Sequence, residues 1–157
     1  MNLTNLDTIM RHFSTNGAFL TAKSNNSTNT MTISWGFIGY MWYKPCFIAV
    51  VRPQRHTNAI LKSAADFTVS VPFDTLLPEL KTCGTQSGKD IDKSKVVTFL
   101  PAKTTASPIV DGCQAYLECK INYTDRFDPA GMPKEIIEKI YNDDYHEIYM
   151  GEIIDFY

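Results

Sequence analysis

The sequence predicts a mainly β protein, an antiparallel barrel with helical insertions. Two segments, Thr30–Tyr40 and Gln114–Tyr123, are rich in β-branched and aromatic residues and alternate as half-buried strands do. A continuous apolar run, Cys46–Val51, lies between Pro45 and Pro53 and is typical of a strand buried on both faces. Because the roughly six to eight strands and three or four short helices do not alternate as βαβ units, a doubly wound sheet is disfavoured.

Length and composition predict one soluble domain spanning residues 1–157. The 157 residues are 44% hydrophobic and 20% charged, and a net charge of −2 argues against general affinity for nucleic acid or an anionic membrane. No apolar run approaches the roughly 20 residues that span a bilayer, and the first residues lack the pattern of a signal peptide. The four cysteines form no C-x-x-C pair, which predicts no metal site and reduced thiols in the cytoplasm: Cys46, Cys83, Cys113 and Cys119.

The N-terminal elements follow from short local signals. Asp7–Phe13 is predicted to be a helix capped by Thr4 or by its own first residue, and Ala18–Lys23 to be the first strand. The cluster of Asn, Ser and Thr at Asn25–Asn29 predicts a turn. The strand that follows, Thr30–Tyr40, is expected to break near Gly36 and Gly39.

The central elements switch between helix and strand periods. Thr57–Ala65 has a helical pattern with its first residue as N-cap, and Phe67–Val71 returns to strand alternation. A second helix, Thr75–Thr82, is expected to be capped by Asp74 and to stop at Gly84.

The C-terminal third is predicted to begin with a turn-rich connection, Ser107–Gly112, that leads into the half-buried strand already described. Met132–Tyr141 opens with a proline near its first turn and is predicted to be a helix. His146–Ile154 is the last predicted strand.

The polar stretch Asn29–Trp35 is the first candidate binding element. Its hydroxyl residues alternate with apolar ones and therefore share one face of an extended strand. Such a row can hydrogen-bond ribityl oxygens or the heteroatoms of a flat ring, and Gly36 would let backbone approach a planar ligand. The alternative is an amphipathic strand with its polar face in water.

The segment Arg52–Thr57 joins a strand to a helix and is the second candidate. The free N–H groups of a helix start suit a phosphate, Arg55 adds a bidentate cation, and Thr57 adds a hydroxyl. His56 lies inside the same element. The alternative is an ordinary helix cap with solvated arginines.

The segment Cys83–Lys93 is the third candidate. It combines small residues with Lys89 and Lys93, and a lysine beside such a turn can reach a phosphate as a point charge. Its spacing does not match a Walker loop. The alternative is an ordinary surface loop, in which Cys83 is a buried small hydrophobe at a helix end.

His146, at the start of the last strand, is the catalytic candidate, as a proton donor or a hydrogen-bond partner of a reduced cofactor. The alternative is a structural or solvated histidine. The sequence contains no recognisable nucleophile–base pair, so a bound cofactor is expected to carry out the chemistry. Donors for a phosphate, a polyol and a flat polar ring are together what a flavin nucleotide requires.

Seven motifs follow one another along the chain: NTMTISWG, KPCF, VRPQRHTNAI, FTVSVP, CGTQSGKDIDK, LECKI and H-x-I-Y-x-G-E-I. In this order they resemble the flavin reductase-like, FMN-binding split-barrel family, and its flavoredoxin branch in particular. The resemblance extends from about Asn16 to Ile154, and the ordered set is far more specific than any one motif.

The resemblance implies a Greek-key split β-barrel that forms a homodimer and binds FMN near the dimer interface. It places His146 near the flavin ring. By similarity, the ribityl chain and ring are lined by Asn29, Thr30, Met31, Thr32, Ser34 and Trp35; the phosphate is held by Arg55 and Thr57, with Arg52 and His56 beside them; and Ser87, Lys89 and Lys93 approach the phosphate or close the site.

The resemblance also implies an oxidoreductase that takes electrons from NADH or NADPH through FMN to flavin or another acceptor. One alternative is a flavoredoxin-type carrier reduced by a protein partner, and another is a non-catalytic flavin- or haem-binding barrel. Lys89 stands where the family commonly has arginine, so the bidentate fork is lost there. The predicted helix Met132–Tyr141 matches no functional element of the family.

Overall fold

The computed structural model describes residues 6–157, which form nine β-strands and four α-helices. Thr4, one predicted cap, lies outside these residues. The helices are α1 Leu6–Thr15, α2 His56–Leu61, α3 Leu77–Thr85 and α4 Lys134–Ile140. The strands are β1 Ala18–Ser24, β2 Ser27–Ile33, β3 Gly36–Met41, β4 Lys44–Val51, β5 Asp66–Val71, β6 Phe99–Leu100, β7 Ile109–Val110, β8 Ala115–Arg126 and β9 Glu147–Phe156.

Seven strands form one antiparallel sheet in the order β2-β1-β5-β8-β9-β4-β3, and β6 pairs with β7 in a separate ribbon. Ile33 of β2 and Phe47 of β4 stand near opposite ends of this sheet, yet both belong to the main hydrophobic core. The sheet therefore folds back around that core, which confirms the predicted mainly β, antiparallel architecture. Two edge strands remain, β2 and β3, and the candidate site lies along β2.

One predicted boundary at a turn is wrong for a geometric reason. Asn25 adopts a positive φ of 51°, so the β1–β2 hairpin turns tightly and β2 begins at Ser27. The predicted turn at Asn25–Asn29 is therefore mostly strand. Gly36 was expected to let the backbone approach a ligand. In the structure it makes room for the Phe47 ring, because a Cβ at Gly36 would stand 2.7 Å from that ring.

The helices begin and end differently from the prediction. Arg55, not Thr57, is the N-cap of α2, because the Thr57 side chain is turned inward and bonded to β2. Helix α3 begins two residues later than expected, after Leu76 with φ of 53°, and continues through Gly84. Helix α4 is shorter than predicted, because Pro133 is its N-cap.

A second, smaller core fastens α3 to the sheet behind β2. It contains Phe19 of β1, Leu80 and Cys83 of α3, and Val97 and Val110. Cys83 is thus a buried residue within a helix and not part of a polar loop, as the structural alternative held. Burial raises the pKa of its thiol. This packing fixes the wall of the candidate site that faces α2.

A buried carboxylate, Glu118 of β8, anchors the long connection before β7. It accepts hydrogen bonds from the backbone N–H groups of Lys103, Thr104 and Thr105 and from the hydroxyl of Tyr157. Burial alone would raise its pKa, but hydrogen bonds from the Thr104 hydroxyl, from the N–H groups of Lys103 and Thr104 and from Tyr157 outweigh burial and lower the pKa to about 2. The ionised carboxylate therefore holds this loop against the sheet.

The β3–β4 hairpin presents apolar side chains to solvent. Its two turn residues, Trp42 and Tyr43, have positive φ values of 52° and 62°, as a two-residue hairpin of type I′ requires. The side chains of Phe37, Tyr40, Trp42 and Tyr43 are between 57% and 92% exposed. Few soluble monomers expose so many large apolar groups on one edge.

Candidate functional site

The candidate site is a groove along edge strand β2. Among the described residues, three adjoining hollows of about 420, 190 and 390 Å³ share one lining residue, Arg55. Its guanidinium donates to the Gly84 carbonyl of α3 over 3.1 Å. Arg55 therefore stands at the junction of the groove, held between α2 and α3 and otherwise exposed.

The largest hollow is lined by polar groups from all three predicted motifs. Asn29 of β2 donates its side-chain amide to the Thr57 hydroxyl of α2 over 2.8 Å. Ser87 and Gly88 close the hollow from the loop after α3, and the exposed Asp90 also lines it. Because α2 is only six residues long, the polar side chains and not a helix dipole give this hollow its character.

Lys93 supplies a buried positive charge behind this hollow. Only 3% of the residue is exposed, and its ammonium donates to the carbonyls of Thr82 and Gln86 over 3.3 and 2.5 Å. Desolvation lowers the pKa of Lys93, the adjacent Cys83 raises it, and Arg55 lowers it again. The lysine thus ties the end of α3 to the loop that follows.

Gly88 and His56 meet at the wall of the same hollow. A Cβ on Gly88 would overlap the Asn29 side-chain carbonyl and come within 2.8 Å of His56 Cδ2. Only glycine fits there without displacing the loop. The buried Nδ1 atom of the His56 ring has no hydrogen-bond partner in the described residues.

The second hollow is aromatic and lies beside Arg55, next to Trp35 and His146. It is walled by Trp35, whose ring centroid is 5.0 Å from that of His146, and by Ser34 and Arg52. Trp35 is nearly half exposed, whereas His146 is only 6% exposed. A flat polar ring has apolar surface and hydrogen-bonding groups available here.

His146 is held in its neutral form. Desolvation, followed by the nearby charge of Arg52, lowers its pKa from 6.5 to about 4, although Asp144 acts in the opposite direction. Its Nδ1 atom is 3.0 Å from the hydroxyl of Tyr141. At neutral pH the ring is therefore available as a hydrogen-bonding group and not as an imidazolium acid.

The third hollow lies between the end of α1 and α3. Asn16, Ser34, Lys81 and Thr85 line it together with Arg55. It adjoins the aromatic hollow, with which it shares Thr32, Ser34 and Arg55.

The predicted site residues are brought together with some changes of role. The Thr30 hydroxyl is buried and bonded to Thr21 and to the Leu20 carbonyl, and the Thr32 hydroxyl donates to the Leu80 carbonyl over 2.6 Å. These hydroxyls therefore join β2 to β1 and α3, while Thr30 lines the largest hollow and Thr32 lines the other two. Met31 contacts the first two hollows. Lys89 is exposed and lines none of the three hollows.

Arg52 belongs to the aromatic end of the groove and not to the hollow of Asn29 and Thr57. Its guanidinium pairs with Asp144 and donates to the Ile140 carbonyl over 2.8 Å. Hydrogen bonds from the Asn142 backbone, Gln54 and Arg52 lower the pKa of Asp144. This network fixes the segment between α4 and β9.

Sequence reasoning missed several residues of the groove. Gln54 and Gln86 line the largest hollow, and Tyr141 contacts His146. Gln54 stands between Arg52 and Arg55 in the second candidate segment, so the sequence alone could have indicated that it belongs to the groove. Tyr141 lay at the end of a helix with no known role, and nothing local indicated its contact with His146.

Residues 6–157 lack two features that would point to other functions. No helix there is both long and apolar enough to cross a membrane. No cluster of three or more His, Cys, Asp or Glu side chains suitable for a metal ion is found in this range.

With this geometry, the family of the chain can be stated. The family model described as flavin reductase like domain matches residues 10–157, so the chain belongs to that family. An uncharacterized protein of Archaeoglobus fulgidus is 28% identical over 106 residues, which are 66% of this chain and 59% of that protein. The chain spans 55% to 59% of the length of the curated relatives that it matches.

Solved structures share the fold. Flavoredoxin from Methanosarcina acetivorans superposes with a TM-score of 0.73 at 22% identity, over 89% of this chain and 66% of that chain. An FMN-binding protein from Thermus thermophilus with bound 1-cyclohex-2-enone gives 0.70 at 21% identity, over 89% and 68%. These likenesses confirm the predicted flavin reductase-like split barrel.

Proposed function

We propose that the groove along β2 binds FMN and that the chain is a flavin reductase-like oxidoreductase. The observation that carries the proposal is the junction at Arg55, where a hollow lined by polar and cationic groups meets an aromatic hollow. A flavin nucleotide has this same division between an anionic phosphate and a flat heterocycle. Membership in the flavin reductase like family supports the same cofactor.

The phosphate belongs in the hollow formed by the Asn29, Thr57 and Ser87 side chains. Arg55 would supply a planar charged fork, and the buried ammonium of Lys93 adds positive potential behind the hollow. These donors fit a dianionic phosphate, whereas the Asp90 carboxylate at the rim carries the same sign of charge and would repel it.

The ring belongs in the hollow of Trp35 and His146. The Trp35 indole offers a stacking surface, while the Ser34 hydroxyl and the His146 ring offer hydrogen bonds to heteroatoms. Arg52 and Arg55 both line this end and would favour negative charge there. Bound FMN would supply the redox chemistry, accepting a hydride at its ring and passing electrons on.

The electron donor proposed for this site is NADH or NADPH. The groove is open to solvent along the exposed Trp35. The nicotinamide would therefore stack directly against the ring position without a separate binding domain. The role of the chain is to hold both rings in contact and to place donors where negative charge increases.

A two-stage experiment tests this proposal. Purified protein is first titrated with FMN, riboflavin and AMP by calorimetry, and tighter binding of FMN than riboflavin is expected because riboflavin lacks the phosphate. The loaded protein is then mixed with NADH or NADPH in a stopped-flow instrument, and loss of flavin absorbance faster than free FMN is expected. Absence of FMN binding rejects the cofactor; binding without faster bleaching rejects the nicotinamide-dependent enzyme.

A flavoredoxin-type electron carrier is the second candidate, favoured by the open aromatic end of the groove. Trp35 is nearly half exposed and would let a protein donor approach the ring position closely. Reduction of the loaded protein by a ferredoxin, with no reaction with either nicotinamide, would favour this function over the first. FMN that neither type of donor reduces would indicate the non-catalytic barrel.

The partner proposed for the exposed β3–β4 hairpin is a second copy of this chain. The hairpin exposes Phe37, Tyr40, Trp42 and Tyr43 along an unpaired sheet edge. Burial of several such side chains would contribute roughly 1.5–3 kcal/mol each. Sedimentation equilibrium should therefore give a dimer for the native chain.

The matched test is a pair of serine substitutions in the hairpin, Tyr40→Ser with Tyr43→Ser. This variant is expected to sediment as a monomer with an unchanged circular dichroism spectrum. Ile136→Ser, which replaces an exposed residue of α4, is expected to leave the dimer intact. A monomeric native chain, or a dimer that survives both hairpin substitutions, would reject this interface.

A further inference from the structure

The segment after α4 reaches back to the aromatic hollow and contacts the ring of His146. The Tyr141 hydroxyl, one residue beyond α4, is 3.0 Å from His146 Nδ1. The two rings meet edge to face, with centroids 5.5 Å apart and an interplanar angle of 82°. In this arrangement the hydroxyl approaches the edge of the imidazole, where its nitrogen carries either a proton or a lone pair.

The chemistry of the two groups favours one direction for this hydrogen bond. A neutral imidazole nitrogen is a stronger acceptor than a phenolic oxygen, and a phenol O–H is a good donor. Burial, the largest influence, raises the pKa of Tyr141, so the hydroxyl keeps its proton. With Tyr141 as the donor to Nδ1, the single ring proton of neutral His146 resides on Nε2.

Nε2 is the nitrogen left to face the aromatic hollow. Among the described residues, Nε2 makes no hydrogen bond. It is also not one of the fully buried polar atoms, so it remains accessible. Since His146 is only 6% exposed and lines the hollow, the open side of its ring faces that space. Trp35 and Phe127 cover the rest of the ring at centroid distances of 5.0 and 6.3 Å.

The charges around His146 hold Tyr141 in place. The Arg52 guanidinium lies 5.2 Å from the centre of the Tyr141 ring, pairs with Asp144 and donates to the carbonyl of Ile140. Gln54 donates to the same carboxylate over 2.8 Å. The charged groups that face His146 are thus Arg52, Asp144 and Arg55, and two of the three oppose an imidazolium.

We propose that Tyr141 is a positioning residue that holds His146 as the neutral tautomer with its proton on Nε2, so that His146 presents an N–H donor to an acceptor atom in the aromatic hollow. The ligand class is a heterocycle with a carbonyl or ring-nitrogen acceptor, and its assignment as the flavin ring rests on the proposed function. The segment after α4 therefore has a role at the aromatic hollow, through its contact with His146. Tyr141 acts through His146 and does not itself touch the ligand.

The tautomer can be measured directly in protein without flavin. Uniformly ¹⁵N-labelled chain contains three histidines, and the His146 ring signals are identified by their loss in His146→Asn. Long-range proton–nitrogen spectra at neutral pH should show a pyrrole-type Nε2 and a pyridine-type Nδ1. A proton on Nδ1, or an even mixture of tautomers in the native chain, would overturn the proposal.

Two phenylalanine substitutions separate positioning from packing. Tyr141→Phe should shift both His146 nitrogens toward the averaged values of a tautomer mixture. Tyr145→Phe is the matched control, because its ring packs against Tyr141 with centroids 5.1 Å apart but its hydroxyl makes no hydrogen bond to His146. Unchanged shifts in Tyr141→Phe, or equal shifts in both variants, would overturn the assignment.

The experiment is independent of the proposed function. If the protein binds no FMN but shows the Nε2-protonated ring, the cofactor assignment fails while the role of Tyr141 stands. If FMN binds but the ring carries its proton on Nδ1, only the present inference fails. Should Tyr141→Phe not fold, the spectrum of the native chain still decides the position of the proton.

Discussion

The Asn29 side-chain amide donates to the Thr57 hydroxyl over 2.8 Å and to the Thr30 carbonyl over 3.2 Å, and both Asn29 and Thr57 are buried. This contact joins edge strand β2 to helix α2. The remaining carbonyl oxygen of Asn29 faces the backbone of Gly88. One amide thus contacts all three polar segments of the groove.

Arg55→Ala is expected to weaken FMN binding by about 1.5–3 kcal/mol, the typical contribution of a hydrogen bond to a charged group. The guanidinium lines all three hollows and its backbone remains the N-cap of α2, so the fold should survive. Titration calorimetry measures the change. Arg11→Ala, an exposed substitution on α1, should bind FMN as the native chain does; equal affinities in all three proteins would remove Arg55 from the site.

Gly88→Ala is expected to displace the loop after α3 and to reduce FMN affinity at least about tenfold, which corresponds to roughly 1.4 kcal/mol. A Cβ would come within 2.7 Å of Asn29 Cγ and within 2.8 Å of the His56 ring. Gly131→Ala is the control, since nothing lies within 4 Å of its added Cβ. Native affinity in Gly88→Ala would show that the loop closes differently around a ligand.

Glu118→Gln is expected to destabilise the fold by about 1–3 kcal/mol, because an amide N–H₂ would replace an oxygen that accepts from backbone donors. The pKa of Glu118 is lowered from 4.5 to about 2. Its stabilising effect is therefore complete above pH 4.5 and is lost as the pH falls through 2. Urea unfolding should show that the difference in free energy of unfolding between the native chain and the variant shrinks as the pH falls from 4.5 to 2.

The exposed Glu138→Gln on α4 is the matched control for this experiment. Its free energy of unfolding should equal that of the native chain at every pH. A Glu118→Gln curve that also coincides with the native curve would mean that the loop is held by other contacts.

His146→Gln is expected to flatten the acid dependence of stability. The pKa of His146 is lowered from 6.5 to about 4, so between these values the unfolded chain binds the extra proton and the native chain does not. Stability therefore falls as the pH drops from 6.5 to 4, by up to about 3 kcal/mol from this one group. Denaturant unfolding at several pH values measures the slope, and parallel native and variant slopes would contradict the assigned pKa.

Most of the fold was predictable because its signals are local. The apolar run Cys46–Val51 and the alternation of Gln114–Tyr123 correspond to β4 and to most of β8. The errors lie where tertiary contacts override local chemistry. Thr57 is a good N-cap by type, yet its hydroxyl accepts from Asn29, and that partner is on another element.

The candidate site was predictable in its parts and not in its connections. The motif order placed Asn29, Arg55 and Ser87 in one groove, and all three line the same hollow. Sequence spacing could not show that Lys93 is buried while Lys89 is exposed. Nor could it show that Tyr141 contacts His146, because that contact depends on how the segment after α4 returns to the sheet.

The backbone at Trp42 and Tyr43 carries one last consequence for protein engineering. Bulky side chains tolerate positive φ poorly, and Asn-Gly is the pair that a two-residue type I′ turn prefers. Writing Asn-Gly into positions 42 and 43 should therefore raise the thermal midpoint of an isolated subunit while removing two of its largest exposed rings. Such a variant would give crystallographers and spectroscopists a better-behaved monomer in which the groove along β2 can be studied alone.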